Sequence, residues 1–242
     1  MRDLFEKADS GQDDKGTFER GMRLILFGPP GAGKGTHARL LGERWKVPHL
    51  AAGDLLRAHI REGTEIGKRV KAILERGELV SDTLINELIA SELSKPEAKT
   101  GFILDGYPRT LIQAEALAEF LKRRREELDR TLYFKTSLEV IVDRLSGRRN
   151  CPKCSANYHI RNIPPRVAGK CDRCQSNLVE RPDDRPETIR HRLEVYEKDT
   201  APLLNYYRER GLLEEVPGDW DVPELQGELA KVLGKYVTGK QR

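Results

Sequence analysis

Arg23-Leu24-Ile25-Leu26-Phe27-Gly28-Pro29-Pro30-Gly31-Ala32-Gly33-Lys34-Gly35-Thr36 decides the fold. The apolar run up to Phe27 reads as a buried strand. The glycines at 28, 31, 33 and 35 read as a loop that opens a helix. Glycine takes positive φ without strain and lets a ligand come close to the backbone. The N–H groups of such a loop and of the first helical turn converge where an anion is favoured. Lys34 adds a full positive charge there. Gly28 and Gly33-Lys34 keep the spacing of a nucleotide phosphate loop. Gly35 departs from it by standing directly after the lysine, which displaces the hydroxyl to Thr36.

Outward from this stretch, strands and helices alternate, which predicts an α/β fold: a parallel sheet with helices on both faces. Helices are expected over 36–45, 64–76, 82–93, 110–129, 138–146, from Pro186 onward, and over 223–237. Strands are expected near 47–50, 102–104, 132–134 and 212–216. Gly101-Phe102-Ile103-Leu104-Asp105 ends a buried strand on a carboxylate. Ligands of parallel sheets bind beyond the carboxyl ends of strands, so Asp105 is placed beside the phosphate loop as a residue for Mg²⁺ or its waters. Asp54 stands near the start of a helix, as an N-cap or as a second such carboxylate. Ser81 or Asp82 suits the start of the 82–93 helix, and Ser137 that of the 138–146 helix. Arg144 and Arg148, spaced i, i+4, are expected on one helix face, where an anion between them would relieve their repulsion. The run Lys122 to Glu127 is expected on a solvated face.

Cys151-Pro152-Lys153-Cys154 and Cys171-Asp172-Arg173-Cys174 are separated by sixteen residues. Two such pairs predict a tetrahedral Cys₄ zinc site, with disulfides or a redox pair as the other option. Four thiolates leave no open coordination position, so the zinc is structural. It would staple a small β-rich flap that has too few residues for a core of its own.

The 242 residues are 34% charged with a net charge of only +4, which does not call for a nucleic-acid partner. No apolar run reaches the roughly 18–20 residues of a membrane span, and residues 1–21 have no apolar segment of the signal type. A cytoplasmic monomer that touches neither membrane nor nucleic acid is expected. Residues 1–21 carry Leu4, Phe5 and Phe18 as their only large apolar side chains and read as an extension outside the core.

The sheet end therefore collects Lys34, Asp54, Asp105 and arginines 57, 109, 144, 148, 181 and 192. Six arginines exceed the need of one triphosphate and suit two anionic substrates. No catalytic base accompanies them, which suits an acceptor that is itself an ionised phosphate.

These stretches resemble the adenylate kinase family, in its long-lid, zinc-bearing bacterial form. The resemblance is carried by Gly28 to Thr36, Ala52-Gly53-Asp54-Leu55-Leu56-Arg57, Asp105-Gly106-Tyr107-Pro108-Arg109-Thr110 with Gln113, Gly147-Arg148-Arg149, the four cysteines, and Asp183-Asp184 followed by Arg192. It implies the reaction of MgATP with AMP to give two ADP. It also implies a core (22–50, 81–146 and 185–237), a monophosphate-binding helical arm (51–80) and a zinc-bearing β lid (147–184). Gly31, Ala32, Gly33, Lys34, Gly35 and Thr36, with Arg148, Asn157, Tyr158 and Trp220, would hold ATP. Ala52, Arg57, Glu78, Leu79, Val80, Gly106, Tyr107, Pro108, Arg109, Gln113, Arg181 and Arg192 would hold AMP, with Gln113 at the adenine edge. Lys34, Arg109, Arg144, Arg148, Arg181, Arg192 and Asp105 would surround the transferring group, and Asp54 and Asp105 would order the waters of Mg²⁺.

Ala52 stands where many members of the family carry threonine, and there the chain is similar to the UMP/CMP kinases. That group is one alternative. A nucleic-acid-associated ATPase with a zinc ribbon is another. A GTPase-like switch lacks its guanine-reading motif here.

Overall fold

The computed structural model describes residues 21–237; the extension read over 1–21 lies outside the described residues except for Gly21. Five parallel strands form one sheet in the order β2-β3-β1-β4-β7: β1 (Arg23–Phe27), β2 (His49–Ala51), β3 (Phe102–Asp105), β4 (Arg130–Lys135) and β7 (Leu213–Pro217). Strand β1 is central, which accounts for its unbroken apolar run. Period-two alternation sends Ile25 and Phe27 to one face and Leu24 and Leu26 to the other.

Helices cover both faces. On one side Ala38 and Leu41 of α1 (Lys34–Trp45) meet Leu225, Leu229 and Leu233 of α9 (Val222–Val237) over Leu24, Leu26, Ile103, Leu132 and Phe134. On the other side α4 (Asp82–Leu93), α5 (Leu111–Arg123) and α8 (Leu203–Glu209) bury Ile85, Ile89, Ala114, Leu117 and Leu203 against Ile25, Phe27 and Leu104.

Two excursions leave this frame. Helices α2 (Ala52–Arg61) and α3 (Glu65–Glu75) form a hairpin after β2. They cross so closely at Gly67 that a Cβ there would stand 2.1 Å from the His59 carbonyl oxygen. Thr64 caps α3 by accepting from the Gly67 N–H at 3.1 Å. After α6 (Leu138–Ser146), strands β5 (Arg148–Asn150) and β6 (Asn157–His159) pair antiparallel with Cys151 and Cys154 in the turn between them, and Cys171 and Cys174 follow β6. The chain returns through a 3₁₀ turn at Pro182–Asp184, helix α7 (Pro186–Val195) and a π turn at Tyr196–Thr200.

Several expectations are corrected at this level. Helix α6 ends at Ser146 with Gly147 as its C-cap, so Arg148 begins β5 and does not share a helix face with Arg144. The N-cap of α2 is Ala51, which removes the capping option for Asp54. Ser81 and Ser137 occupy N-cap positions without a side-chain cap bond; Ser137 bonds to Asp219 instead, at 2.8 Å through its N–H. Helix α5 stops at Arg123, and within the charged run after it Glu126 is half-buried between Arg124 and Arg23 rather than on a solvated face.

Candidate active site

The phosphate loop follows from its glycines. Gly31 (φ 87°) and Gly33 (φ 89°) lie in the left-handed region, and Gly33 is the N-cap of α1 with no side chain to satisfy the first N–H groups. The helix start is thus left open to an external acceptor. Lys34 folds back over the loop, donating from Nζ to the carbonyl oxygens of Gly28 (2.7 Å) and Pro29 (2.8 Å). Burial lowers its ammonium pKa to about 8; Asp105 pulls the other way, while Arg109, Arg192 and Arg148 add to the fall. The glycine after the lysine also has a reason. A Cβ on residue 35 would stand 3.0 Å from Asp105 Oδ2, so a side chain would press on that carboxylate.

Asp105 ends β3 beside the loop. Burial alone would raise its pKa, but His49, with Nε2 at 3.5 Å from Oδ2, and Lys34 hold it below the usual carboxylate value. It stays ionised at neutral pH. The turn after it projects Arg109, whose Nε donates to the Gly106 carbonyl at 2.9 Å and whose carbonyl accepts from Thr200 at 3.1 Å. Burial, with Arg192 next in weight, lowers the Arg109 guanidinium to about 10.

Around these groups a lattice of charges joins four parts of the chain. Asp54 Oδ1 accepts from Arg57 at 2.6 Å and lies 3.6 Å from Arg181 Nη2. Arg148 engages Asp184 through both carboxylate oxygens. Arg192 Nη1 reaches Asp184 Oδ1 at 2.9 Å and Asp183 Oδ2 at 3.0 Å. Arg181, lowered to about 9 by burial and then by Arg57 and Arg148, also donates to Asn157 Oδ1 at 2.7 Å. Six cations (Lys34, Arg57, Arg109, Arg148, Arg181, Arg192) are set against four carboxylates (Asp54, Asp105, Asp183, Asp184), a surplus of two positive charges. Burying unpaired charge is costly, so this is a place for anions.

The four cysteine sulfurs lie within 4.8 Å of one another, with Cys151–Cys174 at 3.4 Å and Cys154–Cys171 at 3.5 Å. A tetrahedral ion with metal–sulfur bonds of about 2.3 Å sets its sulfurs about 3.8 Å apart, so the donor set fits one divalent ion. The two pairs fold alike. Ser155 (φ 57°) and Gln175 (φ 60°) take the left-handed conformation directly after each second cysteine. Their N–H groups donate to the carbonyls of Cys151 (3.0 Å) and Cys171 (2.9 Å). The spacing fits thiolate ligation in two equivalent knuckles better than it fits a disulfide pair.

Not every expected residue joins the charge lattice. Arg144 instead ties the phosphate-loop side to the 218–220 turn, donating to the carbonyls of Gly218 (2.6 Å) and Trp220 (3.0 Å). Tyr158 turns its hydroxyl to Cys171 Sγ and the Asp172 N–H, which leaves only its backbone for a ligand. Glu78 spends its carboxylate on Arg76 at the surface, and Val80 packs into the core. Gln113 and Ala52 are buried, at 3% exposure each.

Other contributors were missed. Asp184 was not assigned a role, although the Asp183-Asp184 pair was a visible signal beside so many arginines. His37 of α1 is buried, its Nδ1 paired with Gln226 at 2.8 Å. Asp82 bonds the Gln113 side chain. Neither of these last two has a local sequence signature.

The adenylate kinase sequence profile matches residues 26–212. The chain is 47% identical over 214 residues to the adenylate kinase of Clostridium botulinum (strain Langeland), covering 88% of this chain and 99% of that one. It is 48% identical to the adenylate kinase of Anaeromyxobacter dehalogenans (88% and 100% covered) and 45% identical to that of Moorella thermoacetica (88% and 99%).

Proposed function

The chain belongs to the adenylate kinase family, and from that membership we propose how its own residues divide the work of moving a phosphoryl group from MgATP to AMP to give two ADP. The carrying observation is the buried surplus of two positive charges beside an open helix N-terminus. It suits two phosphate chains meeting end to end.

In this reading the loop N–H groups of 31–36 and Lys34 hold the ATP phosphates. Arg57 and Arg109 hold the AMP phosphate. Arg148, Arg181 and Arg192 bridge the two and stabilise charge spread over the transferring group. Arg148 and Arg192 are paired with Asp184 and Asp183, and Arg181 is held by Asn157 beside Asp54, so all three are positioned before substrate arrives. No base is needed, because the acceptor oxygen belongs to an ionised phosphate. Arg144, held by the carbonyls of Gly218 and Trp220, lines the ATP base side together with Asn157 and the backbone of Tyr158. Bound with ATP, Mg²⁺ supplies positive charge at the phosphate oxygens, and Asp54 and the ionised Asp105 are suited to hold its waters.

The α2–α3 hairpin is the monophosphate arm in this reading, and the 147–184 segment the lid. Its four cysteines would hold a structural zinc. Closing the lid excludes water, which could otherwise accept the phosphoryl group. The same reading takes the enzyme as a cytoplasmic monomer that binds neither nucleic acid nor membrane; sedimentation and a filter-binding titration test this.

The deciding assay is steady-state turnover of MgATP against AMP, CMP, UMP and GMP, with a no-acceptor control. Rapid, reversible ADP formation with AMP supports the assignment. A preference for CMP or UMP would move the enzyme to the pyrimidine kinases and trace to Ala52. Acceptor-independent hydrolysis would refute it.

A further inference from the structure

Asp82 opens α4, and one of its oxygens is used twice. Oδ1 accepts from Thr110 Oγ1 at 2.9 Å and from Gln113 Nε2 at 2.7 Å. Thr110 is the N-cap of α5 and accepts in turn from the Gln113 N–H at 3.2 Å. At the other end of the Gln113 amide, Oε1 accepts from the Arg109 N–H at 2.7 Å. The two ends of the amide therefore meet partners of opposite kind. A backbone N–H demands the oxygen, and a carboxylate demands the NH₂ group. Rotating the amide by half a turn would set donor against donor and acceptor against acceptor.

An amide offers two donor hydrogens and two acceptor lone pairs. Two of the four are spent, and among the described residues no protein group takes the others. One N–H and one lone pair are unspent on a side chain only 3% exposed, where an unmade hydrogen bond is costly. The pair matches a heterocycle that presents an amino group beside a ring nitrogen, as adenine does. For a ring held in the same pose, a base that exchanges these for a carbonyl beside a ring N–H, as hypoxanthine does, sets acceptor against acceptor and donor against donor unless the amide turns over.

We propose that Asp82 is a positioning residue that sets base specificity: together with the Arg109 N–H it locks the Gln113 amide in the one orientation that accepts an amino-bearing monophosphate base. This rests on the reading of Gln113 as the residue that meets the base.

The test compares AMP with IMP, which exchanges the amino group for a carbonyl, in the native enzyme and in Asp82→Ala, Asp82→Leu and Asp82→Asn. Thermal melts check folding, and the leucine variant serves if alanine does not fold. Loss of the carboxylate is expected to raise KM for AMP about tenfold and to cut the AMP-over-IMP preference in kcat/KM about tenfold, the low end for a bidentate amide–base pair. KM for MgATP should stay within twofold. Asparagine retains an acceptor oxygen and should restore most of the preference. An unchanged AMP-over-IMP ratio in the alanine variant, or in the Asp82→Leu variant that likewise has no acceptor, overturns the proposal, as does an asparagine variant no better than alanine. A native enzyme that shows no preference for AMP over IMP strikes the reading of Gln113 itself, which separates the two failures.

Discussion

His37 should make this protein lose stability on mild acidification. Its ring is 3% exposed, packed 5.5 Å from the Phe134 ring, with Nδ1 paired to Gln226. Burial, reinforced by Arg144, lowers its pKa from 6.5 to about 4. Above pH 6.5 the imidazole is neutral in both folded and unfolded chains and contributes nothing pH-dependent. As the pH falls below 6.5 the unfolded chain takes up a proton that the folded chain refuses, so the folded state loses ground until the folded pKa is reached. At about 1.4 kcal/mol per unit the full loss is about 3 kcal/mol, of which about 2 kcal/mol falls between pH 7 and pH 5. His37→Gln keeps a hydrogen-bonding partner for Gln226 and cannot titrate. Urea unfolding at pH 7 and pH 5 should show the native protein losing about 2 kcal/mol more than the variant. Other groups, including His159, whose pKa burial also lowers, are common to both proteins and cancel in the difference. Equal losses in the two proteins would refute the reasoning.

The remaining predictions address the site and the cysteines. Asp184→Ala leaves Arg148 wholly, and Arg192 partly, without its carboxylate, and should cost about 3 kcal/mol, read as a lower Tm by calorimetry. Gly35→Ala brings a Cβ to 3.0 Å from Asp105 Oδ2 and should lower kcat about tenfold with little change in Tm, as stopped-flow turnover would show. Arg109→Ala should raise KM for AMP and depress kcat together; near-native turnover at saturating AMP would remove Arg109 from the site. Gently purified protein should contain one zinc per chain by metal analysis. Chelation or Cys154→Ser should lower the melting temperature far more than it alters the chemistry of the remaining folded molecules.

Much of this was legible in the sequence wherever cause and effect lie close together along the chain. The phosphate loop, the carboxylate at the end of β3 and the paired cysteines each combine local residues whose spacing is their mechanism. The failures fall at boundaries and across distances. Helix α6 ends at Ser146 as expected, and the i, i+4 spacing of Arg144 and Arg148 runs past that end, so the two arginines go to different tasks. The direction of Tyr158 depended on the cysteine fold beside it. His37 and Gln226 are 189 positions apart, and Asp82 and Gln113 are 31 apart, so no periodicity could join them. The acidic partners are visible in the sequence as Asp183-Asp184, but a count of arginines does not say which carboxylates hold them still.

The two like-folded cysteine knuckles have a consequence for motion. Between Cys154 and Cys171 runs a sixteen-residue loop, and the apolar cluster beneath it is small: Cys151, Ala156, Tyr158 and Cys171, with Cys174 and Leu178 alongside. Holding the ends of such a loop together costs about 2–3 kcal/mol of chain entropy, before the ordering of its residues is counted. So small a cluster cannot offset that unaided. An ion held by the four cysteines would meet the cost once, when the protein folds, instead of at every catalytic cycle. On the reading of this segment as a lid, it would then swing as a stiff plate about its two short connections, Gly147 and the Pro182–Asp184 turn, without melting and reforming. Ordering would thereby be divorced from movement, and the speed of closure would be set by the hinges and not by folding.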